Sequence, residues 1–242
     1  MKKFMILAAV AMLVGRASAA VRDTISLNAG WQFHLGELSG IEAVKNAKSE
    51  RVNLPHDFLI GQPWVEPDAS ERPDNSDAGS NVRSRLSPRG FKEMNVGWYR
   101  YVLTPKAEWK GRRVVLDFQG IMLVGDVWLN GKHIGKTDYG YLGFDTDISS
   151  ILKFDGDNEI IVKANTQQPN NSRWYTGGGL YRDVNLIVTD KKLYFPRHPL
   201  FIRTENNKKV KIQAEIACFN KVDNISGTTG SFLVVRPWTQ FF

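Results

Sequence analysis

The sequence predicts an all-β protein whose main domain is a β-sandwich, and three observations carry this prediction. Short runs rich in β-branched and aromatic residues alternate with turn residues. The Asn130-Gly131 pair lies between two such runs, which is typical of a tight hairpin because both turn positions need positive φ. Helical periodicity is absent apart from candidate turns at residues 41–48 and 148–152. The predicted strands are residues 98–103, 113–118, 126–129, 159–163 and 184–188.

The amino-terminal residues have the pattern of a secretory signal peptide. Lys2 and Lys3 precede an apolar run over residues 4–14, and small residues follow at 17–19. The run is shorter than the about 20 residues that cross a bilayer, and no cysteine follows it to carry a lipid. We therefore expect a signal peptide over residues 1–19, a secreted or periplasmic location, and no membrane anchor.

Charge and cysteine content exclude other classes of protein. Cys218 is the single cysteine, so no intramolecular disulfide can form and a buried core must stabilise the fold. The formal net charge is +7, but lysine and arginine are scattered along the strands and no nucleic-acid motif is present. We expect no nucleic-acid partner.

Composition changes divide the chain further. Residues 68–92 are polar and predict a long surface loop. Prolines near residues 194–199 indicate a linker, and residues 209–216 alternate as a half-buried strand does. We place a first domain at 20–192 and a linker with an incomplete immunoglobulin-like sandwich at 193–242, since that fold needs about 100 residues. This interpretation makes the chain a truncated product whose open sheet edge favours self-association. The alternative is a two-stranded appendage packed on the first domain.

The most informative stretch combines Arg173, Trp174 and Tyr175 with three consecutive glycines, residues 177–179. Flat aromatic faces and guanidinium donors suit a sugar, and glycine allows backbone conformations closed to other residues. A structural interpretation remains open for two of these residues. In it, Arg173 braces the loop by bonding carbonyl groups, and Trp174 is buried beneath the loop.

Five motifs in order along the chain resemble glycoside hydrolase family 2, and in particular its amino-terminal sugar-binding domain. The β-galactosidases are the most similar members. The resemblance covers about residues 25–205 and implies a jelly-roll domain, then an immunoglobulin-like sandwich, then a TIM barrel with both catalytic glutamates. The motifs are residues 27–33 (LNAGWQF), 52–58 (VNLPHDF), 97–100 (GWYR), 118–131 (FQGIMLVGDVWLNG) and 173–184 (RWYTGGGLYRDV).

The resemblance also implies where sugar is contacted. The loop with Arg173, Trp174 and Tyr175 reaches towards the barrel's active site in the family, and Asn95 lies near another family contact. Several members carry an aspartate about where Arg173 stands, so the direct contact does not carry over unchanged. We take Arg173, Trp174, Tyr175 and Asn95 as the substrate-binding candidates.

No catalytic residue is expected in these 242 residues, because no second domain of catalytic pattern is present. Retaining glycoside cleavage needs two carboxyl groups about 5 Å apart. Glu93, Glu108 and Glu159 fit solvated positions instead. His56 and Asp57 suit either an acid–base pair or a structural turn, and the turn is favoured because aspartate readily bonds nearby backbone groups.

The remaining candidates also have two interpretations each. Trp31 and Phe33 are expected in the core. Trp128 lies either in a second apolar layer, which is favoured, or on the surface as a sugar platform. Tyr139 and Tyr141 suit turn packing or ligand contact. Two further acids, Asp145 and Asp147, suit a calcium loop less well than a cap with a surface charge. No metal and no cofactor are expected.

The sequence therefore favours the non-catalytic, substrate-facing domain of an exported family 2 glycosidase, with a β-galactoside-like carbohydrate as partner. The alternatives are a free-standing carbohydrate-binding module, an inactive structural fragment, and, more weakly, an active enzyme. Titration with galactosides and release of nitrophenol from a nitrophenyl galactoside would discriminate these hypotheses.

Overall fold

The computed structural model describes residues 22–64, 92–167, 175–205, 209–215, 217–218 and 232–234. Within these ranges the regular secondary structure is almost entirely β-strand, as predicted, with short 3₁₀ helices at Ile41–Lys45 and Ala107–Trp109. No helix among these residues is long and apolar enough to cross a membrane. The strands are β1 (Arg22–Ser26), β2 (Trp31–Leu35), β3 (Glu50–Val52), β4 (Val96–Leu103), β5 (Arg113–Phe118), β6 (Val124–Leu129), β7 (Lys132–Thr137), β8 (Phe144–Asp147), β9 (Asn158–Asn165), β10 (Val184–Thr189), β11 (Leu193–Tyr194), β12 (Leu200–Glu205), β13 (Lys209–Glu215), β14 (Ala217–Cys218) and β15 (Phe232–Val234).

Two sheets form the predicted β-sandwich. The larger has the strand order β3-β2-β4-β9-β6-β7, and every pairing in it is antiparallel. The smaller has the order β1-β10-β5-β8. Alternation along β2 buries Trp31 and Phe33, which confirms their predicted place in the core. The largest fully buried side chains come from both sheets and include Trp31, Tyr99, Phe118, Leu116, Leu129 and Ile160.

The predicted hairpin joins β6 to β7. Asn130 and Gly131 have φ values of 51° and 82°, which are the two positive values that this tight turn requires. Asn130 also fixes the turn to the start of β9, because its Nδ2 donates to Asn158 Oδ1 at 2.9 Å and its Oδ1 accepts the Glu159 N–H at 3.0 Å.

A second apolar layer covers part of the other face of the larger sheet. Trp98 and Trp128 stack there with ring centroids 6.0 Å apart. The 3₁₀ helix Ile41–Lys45 contributes Val44 to the same cluster. Trp128 is half-buried in this layer, so the favoured interpretation of Trp128 is confirmed over an exposed platform.

The chain divides into two compact units, one spanning Thr24–Ile187 and another that includes Val188 onward with the first residues up to Asp23. In the second unit, β12 pairs with β13 antiparallel, β13 with β15 parallel, and β11 with β14 antiparallel. The predicted strand at 209–216 is observed as β13. The domain boundaries at 19 and 192 stay predictions, and nearly all of the predicted loop at 68–92 lies outside the described residues.

Candidate functional site

The described part of the glycine-rich stretch, residues 175–179, is called here the glycine loop. Gly177 and Gly179 have backbone φ values of 78° and 102°, which residues that carry a side chain rarely adopt. A Cβ on Gly177 would lie 2.8 Å from Asp57 Oδ2, and one on Gly178 would lie 2.7 Å from Leu59 Cγ. A Cβ on Gly179 would clash with the Tyr99 hydroxyl. The three glycines are thus required because the loop packs directly on its neighbours.

Asp57 holds the glycine loop in place. Its Oδ1 accepts the Gly178 N–H at 2.8 Å and the Leu59 N–H at 3.0 Å. Its Oδ2 accepts the Tyr175 hydroxyl at 2.6 Å. Hydrogen bonds to an ionised carboxylate are among the stronger ones in proteins. Asp57 therefore has the structural role favoured from the sequence, and it joins the loop to the turn after β3.

His56 and Tyr99 form a neutral pair beneath the loop. His56 Nδ1 lies 2.9 Å from the Tyr99 hydroxyl, which also accepts the Leu180 N–H at 3.4 Å. The Tyr99 hydroxyl and the His56 ring therefore share one hydrogen bond, and the tautomer of the imidazole decides which of them donates. Burial lowers the pKa of His56, and nearby Glu50 and Asp57 oppose this shift. Burial also raises the pKa of Tyr99 far above its usual value. This pair supports the loop and does not face a substrate as a charged acid.

Asn95 lies beside the glycine loop through a shared neighbour, Thr166. The Asn95 N–H donates to Thr166 Oγ1 at 2.9 Å, and Thr166 Oγ1 donates to the Asn95 carbonyl at 2.7 Å. A Cβ on Gly178 would lie 2.9 Å from Thr166 Cγ2. The half-buried Asn95 side chain accepts the Val96 N–H at 2.8 Å through Oδ1, and its Nδ2 donates to none of the described residues.

The structure therefore brings two of the four predicted binding residues to one end of the sandwich. Tyr175 is 44% exposed although its hydroxyl is bonded, so the ring presents surface to solvent. Asn95 supplies an amide donor nearby. Arg173 and Trp174 lie outside the described residues, and their roles stay predictions.

Met122, between β5 and β6, bonds to the glycine loop, and the loop after β7 contacts Tyr181 just beyond it. Met122 and Gly179 exchange backbone hydrogen bonds of 2.9 and 2.8 Å, and Tyr181 donates to the Gly140 carbonyl at 2.9 Å. Tyr139 and Tyr141 remain exposed, with ring centroids 5.6 Å apart. The backbone of this loop is thus fixed by packing while its rings face solvent.

Trp64 is a surface aromatic that the sequence analysis missed. Its side chain is 72% exposed, and the Lys92 ammonium lies 4.2 Å from the ring centroid. Lys92 also donates to the carbonyl groups of Ile60 and Gln62 at 3.1 and 2.7 Å. The sequence signal for this residue was its position directly after Pro63 and at the start of a polar stretch, where a core side chain is not expected.

Ion pairs and caps account for the acids singled out from the sequence. Asp147 accepts the Ser149 N–H at 3.0 Å and pairs with Arg113 at 3.0 Å, which are contacts of the kind that the cap interpretation predicts. Glu159 pairs with Arg100, and Glu108 is an exposed acid. No group of three or more His, Cys, Asp or Glu side chains that could hold a metal ion occurs in the part of the chain that the structure describes.

One pair of acids comes close in the fold without forming a glycosidase site. Asp117 on β5 lies directly opposite Asp145 on β8, so their Cβ atoms are about 5 Å apart. Asp117 is only 7% exposed, whereas Asp145 is exposed. A sugar must reach both carboxyl groups at its anomeric centre. The burial of Asp117 prevents this.

Comparison with known proteins identifies the same region of the chain. Residues 91–185 match the family described as glycosyl hydrolase 2 galactose-binding domain-like. The β-galactosidase BoGH2A of Bacteroides ovatus is 32% identical over 172 residues, which is 69% of this chain and 18% of that protein. A β-glucuronidase of Bacteroides fragilis is 29% identical over 183 residues, covering 73% of this chain and 22% of that protein.

Solved structures give the same result. A β-glycosidase from Bacteroides vulgatus superposes with a TM-score of 0.67 at 29% identity, covering 83% of this chain and 25% of that one. The chain therefore spans about a fifth of the length of the curated relatives it matches.

Proposed function

This chain carries the galactose-binding-like amino-terminal domain of glycoside hydrolase family 2, and from that premise we propose that it is a non-catalytic, substrate-facing domain of a β-galactosidase-type enzyme. The matched residues include Asn95, Tyr175 and the glycine loop. Acids suited to cleave a glycosidic bond are not brought together within the described ranges, since Asp57, Asp147 and Glu159 are engaged in structural contacts. The domain's role is then to contact sugar rather than to break bonds.

The observation that carries the proposal is the fixed geometry of the glycine loop. Two bonds from Asp57 to the loop and the close approach of Tyr99 hold the loop before any sugar arrives. A binding surface that is already ordered loses less conformational entropy when a ligand binds. The exposed ring of Tyr175 and the Asn95 amide then form a small contact surface at the end of the sandwich.

The sugar class follows from the relatives only in part. Their names include both β-galactosidases and β-glucuronidases. We propose a β-galactoside as the ligand, and the test compares its binding with that of a β-glucuronide. The purified chain should bind methyl β-galactoside weakly, in the millimolar range, in an NMR titration.

Two variants test the contact surface. Tyr175→Ala should weaken galactoside binding at least fivefold, because the exposed ring is lost. Tyr175→Phe keeps the ring and removes only the bond to Asp57, so it is the matched control and should stay near the parent. Equal binding by the parent and Tyr175→Ala, with both folded by circular dichroism, would contradict the proposal. Preference for methyl β-glucuronide would reassign the sugar.

A free-standing carbohydrate-binding module is the second candidate, and Trp64 is the observation that favours it. An exposed tryptophan whose ring is oriented by Lys92 resembles a sugar-stacking platform. Binding of an oligosaccharide that is lost in Trp64→Ala and kept in Tyr175→Ala would support this candidate. Absence of any sugar binding together with a cooperative melt would instead indicate a structural fragment.

Hydrolysis is tested separately. The purified chain should release no nitrophenol from nitrophenyl β-galactoside above the rate of a buffer control. Steady release that co-purifies with the chain would make it an active enzyme and end the non-catalytic assignment.

We further propose export, because residues 1–19 have the charge, length and small-residue pattern of a signal peptide. Expressed with its full sequence in a Gram-negative host, the protein should appear in the periplasmic fraction without its first residues. Intact mass measurement of the fractionated protein gives the cleavage point. Retention of Met1 in the cytoplasmic fraction would contradict export.

Self-association is proposed from β12. Leu200 and Ile202 lie two residues apart on this strand and are 58% and 59% exposed, so they present an apolar stripe. Among the described strands β12 pairs with β13 alone, which leaves its other edge open to a second copy.

A further inference from the structure

An open groove of about 610 Å³ lies on the larger sheet, where β3, β2 and β4 are neighbours. This volume falls in the usual range of small-molecule sites. The register places Gln32 opposite Arg51 on one side and opposite Arg100 on the other. Alternation puts these three side chains on the face opposite Trp31 and Phe33. A row of two guanidinium groups with an amide between them therefore crosses the groove.

The two arginines differ in how their charges are compensated. Arg100 Nε pairs with Glu159 Oε1 at 2.5 Å, and Arg100 Nη1 donates to Gln32 Oε1 at 2.7 Å. Arg51 is exposed and forms no ion pair with any carboxylate of the described residues. Arg51 therefore supplies a planar guanidinium group whose charge no ion pair neutralises. Such a group binds the two oxygens of a carboxylate with two parallel hydrogen bonds.

The other groups on the groove suit hydroxyl groups. The hydrogen bond from Arg100 occupies the side-chain oxygen of Gln32, Oε1, and leaves the side-chain nitrogen, Nε2, as a donor. Ser49 also lines the groove and is exposed, and its hydroxyl both donates and accepts hydrogen bonds. The mixture thus favours a ligand with one carboxylate and several hydroxyl groups.

We propose that this groove binds a uronic acid residue of an acidic polysaccharide, with Arg51 on the carboxylate and Gln32 and Ser49 on ring hydroxyls. The proposal goes beyond the function of the glycine loop. Arg100 is five residues along β4 from Asn95, which separates the two places by about 17 Å along the strand. An acidic polymer could then be held at the groove independently of the sugar at the loop.

The test is calorimetric titration of the purified chain with trigalacturonate, and with neutral galactotriose as the uncharged comparison. Trigalacturonate should bind at least tenfold more tightly, and binding should weaken when sodium chloride is raised from about 50 to about 500 mM because exposed charges are screened. Arg51→Gln should reduce trigalacturonate binding at least fivefold. Lys132→Gln removes the same charge at the opposite edge of the sheet and should leave binding unchanged.

Three outcomes would overturn the proposal. These are equal affinity for the neutral and acidic trisaccharides, an Arg51→Gln variant that binds as the parent does, or competition by inorganic phosphate at equal concentration, which would make the groove a general anion site. Arg51 is exposed, so its variant should fold, and a thermal melt checks this. Tyr175→Ala should leave trigalacturonate binding intact and Arg51→Gln should leave galactoside binding intact, so failure at one place is distinguishable from failure at the other.

Discussion

Asp57 connects segments that are far apart in sequence. Its carboxylate bonds Gly178 and Tyr175, which follow it by 121 and 118 residues, and it also accepts the Leu59 N–H. The side chain is half-buried, so removing it leaves donors that water reaches only in part. The stability of the glycine loop should therefore depend on this one carboxylate.

Asp57→Ala should lower the free energy of unfolding by about 2–4 kcal/mol, since hydrogen bonds to a charged group are worth about 1.5–3 kcal/mol each and are not additive. Urea denaturation followed by tryptophan fluorescence measures the change. The control is Asp138→Ala, because Asp138 forms an exposed ion pair with Lys136. Its removal should lower the free energy of unfolding by less than about 1 kcal/mol. Similar losses in the two variants would contradict the role given to Asp57.

His56 should make stability depend on pH. Burial lowers its pKa in the folded protein, so on acidification the unfolded chain takes up a proton first. The contribution is fully present above the ordinary histidine pKa of about 6.5 and is lost as pH falls from there through the folded value. The melting temperature of the parent should thus drop more steeply between about pH 7.5 and pH 5 than that of His56→Gln. The other titrating groups contribute equally to the parent and the variant, so they cancel in this comparison. Equal slopes of melting temperature against pH would show that His56 does not cause the pH dependence.

Strands and turns show which structure is encoded locally. The five strands predicted from periodicity were all found as β4, β5, β6, β9 and β10, because each combines β-branched residues with flanking turn residues. The hairpin was predictable from Asn130 and Gly131, because both turn positions need positive φ. The parallel pairing of β13 with β15 was not, since a parallel pairing joins separated segments and periodicity within each segment does not indicate its partner.

The site was predictable only in part. Tyr175 and Asn95 were selected in advance, and the structure places both at one end of the sandwich. The turn role of Asp57 was predicted, but its bonds to the glycine loop and the role of Thr166 were not foreseen, since these contacts join segments that are far apart in sequence. Trp64 was missed because an isolated tryptophan carries no periodicity.

The glycine loop should tolerate no side chain at Gly179. Gly179→Ala places a Cβ against the Tyr99 hydroxyl at a backbone φ of 102°, and we expect a loss of about 2–4 kcal/mol from overpacking and strain together. Gly156→Ala is the matched control, because nothing lies within 4 Å of its added Cβ and its φ is not positive. Thermal and urea melts of the two variants measure the difference. Equal stability would show that the loop yields to a side chain.

For the protein as a whole, the self-association proposed from β12 predicts the assembly state. Ile202→Lys places a charge on the apolar stripe and should shift a concentration-dependent dimer to monomer in sedimentation velocity. Val102→Lys is the control, because Val102 is also exposed on a strand but lies in the larger sheet. A parent that stays monomeric at every concentration would end the self-association proposal.

The hairpin at Asn130 also affects how the protein ages. An asparagine followed by glycine cyclises readily, because glycine has no side chain to hinder attack of its backbone nitrogen on the asparagine side-chain amide, a step that releases ammonia. Hydrolysis of the resulting ring then leaves aspartate or isoaspartate. At Asn130 this change replaces the donor facing Asn158 Oδ1 with a negatively charged oxygen. Asn158 is fully buried, so the repulsion is poorly screened. Deamidation during storage should therefore begin to detach the β6–β7 turn from β9, and fresh preparations are needed for every binding measurement.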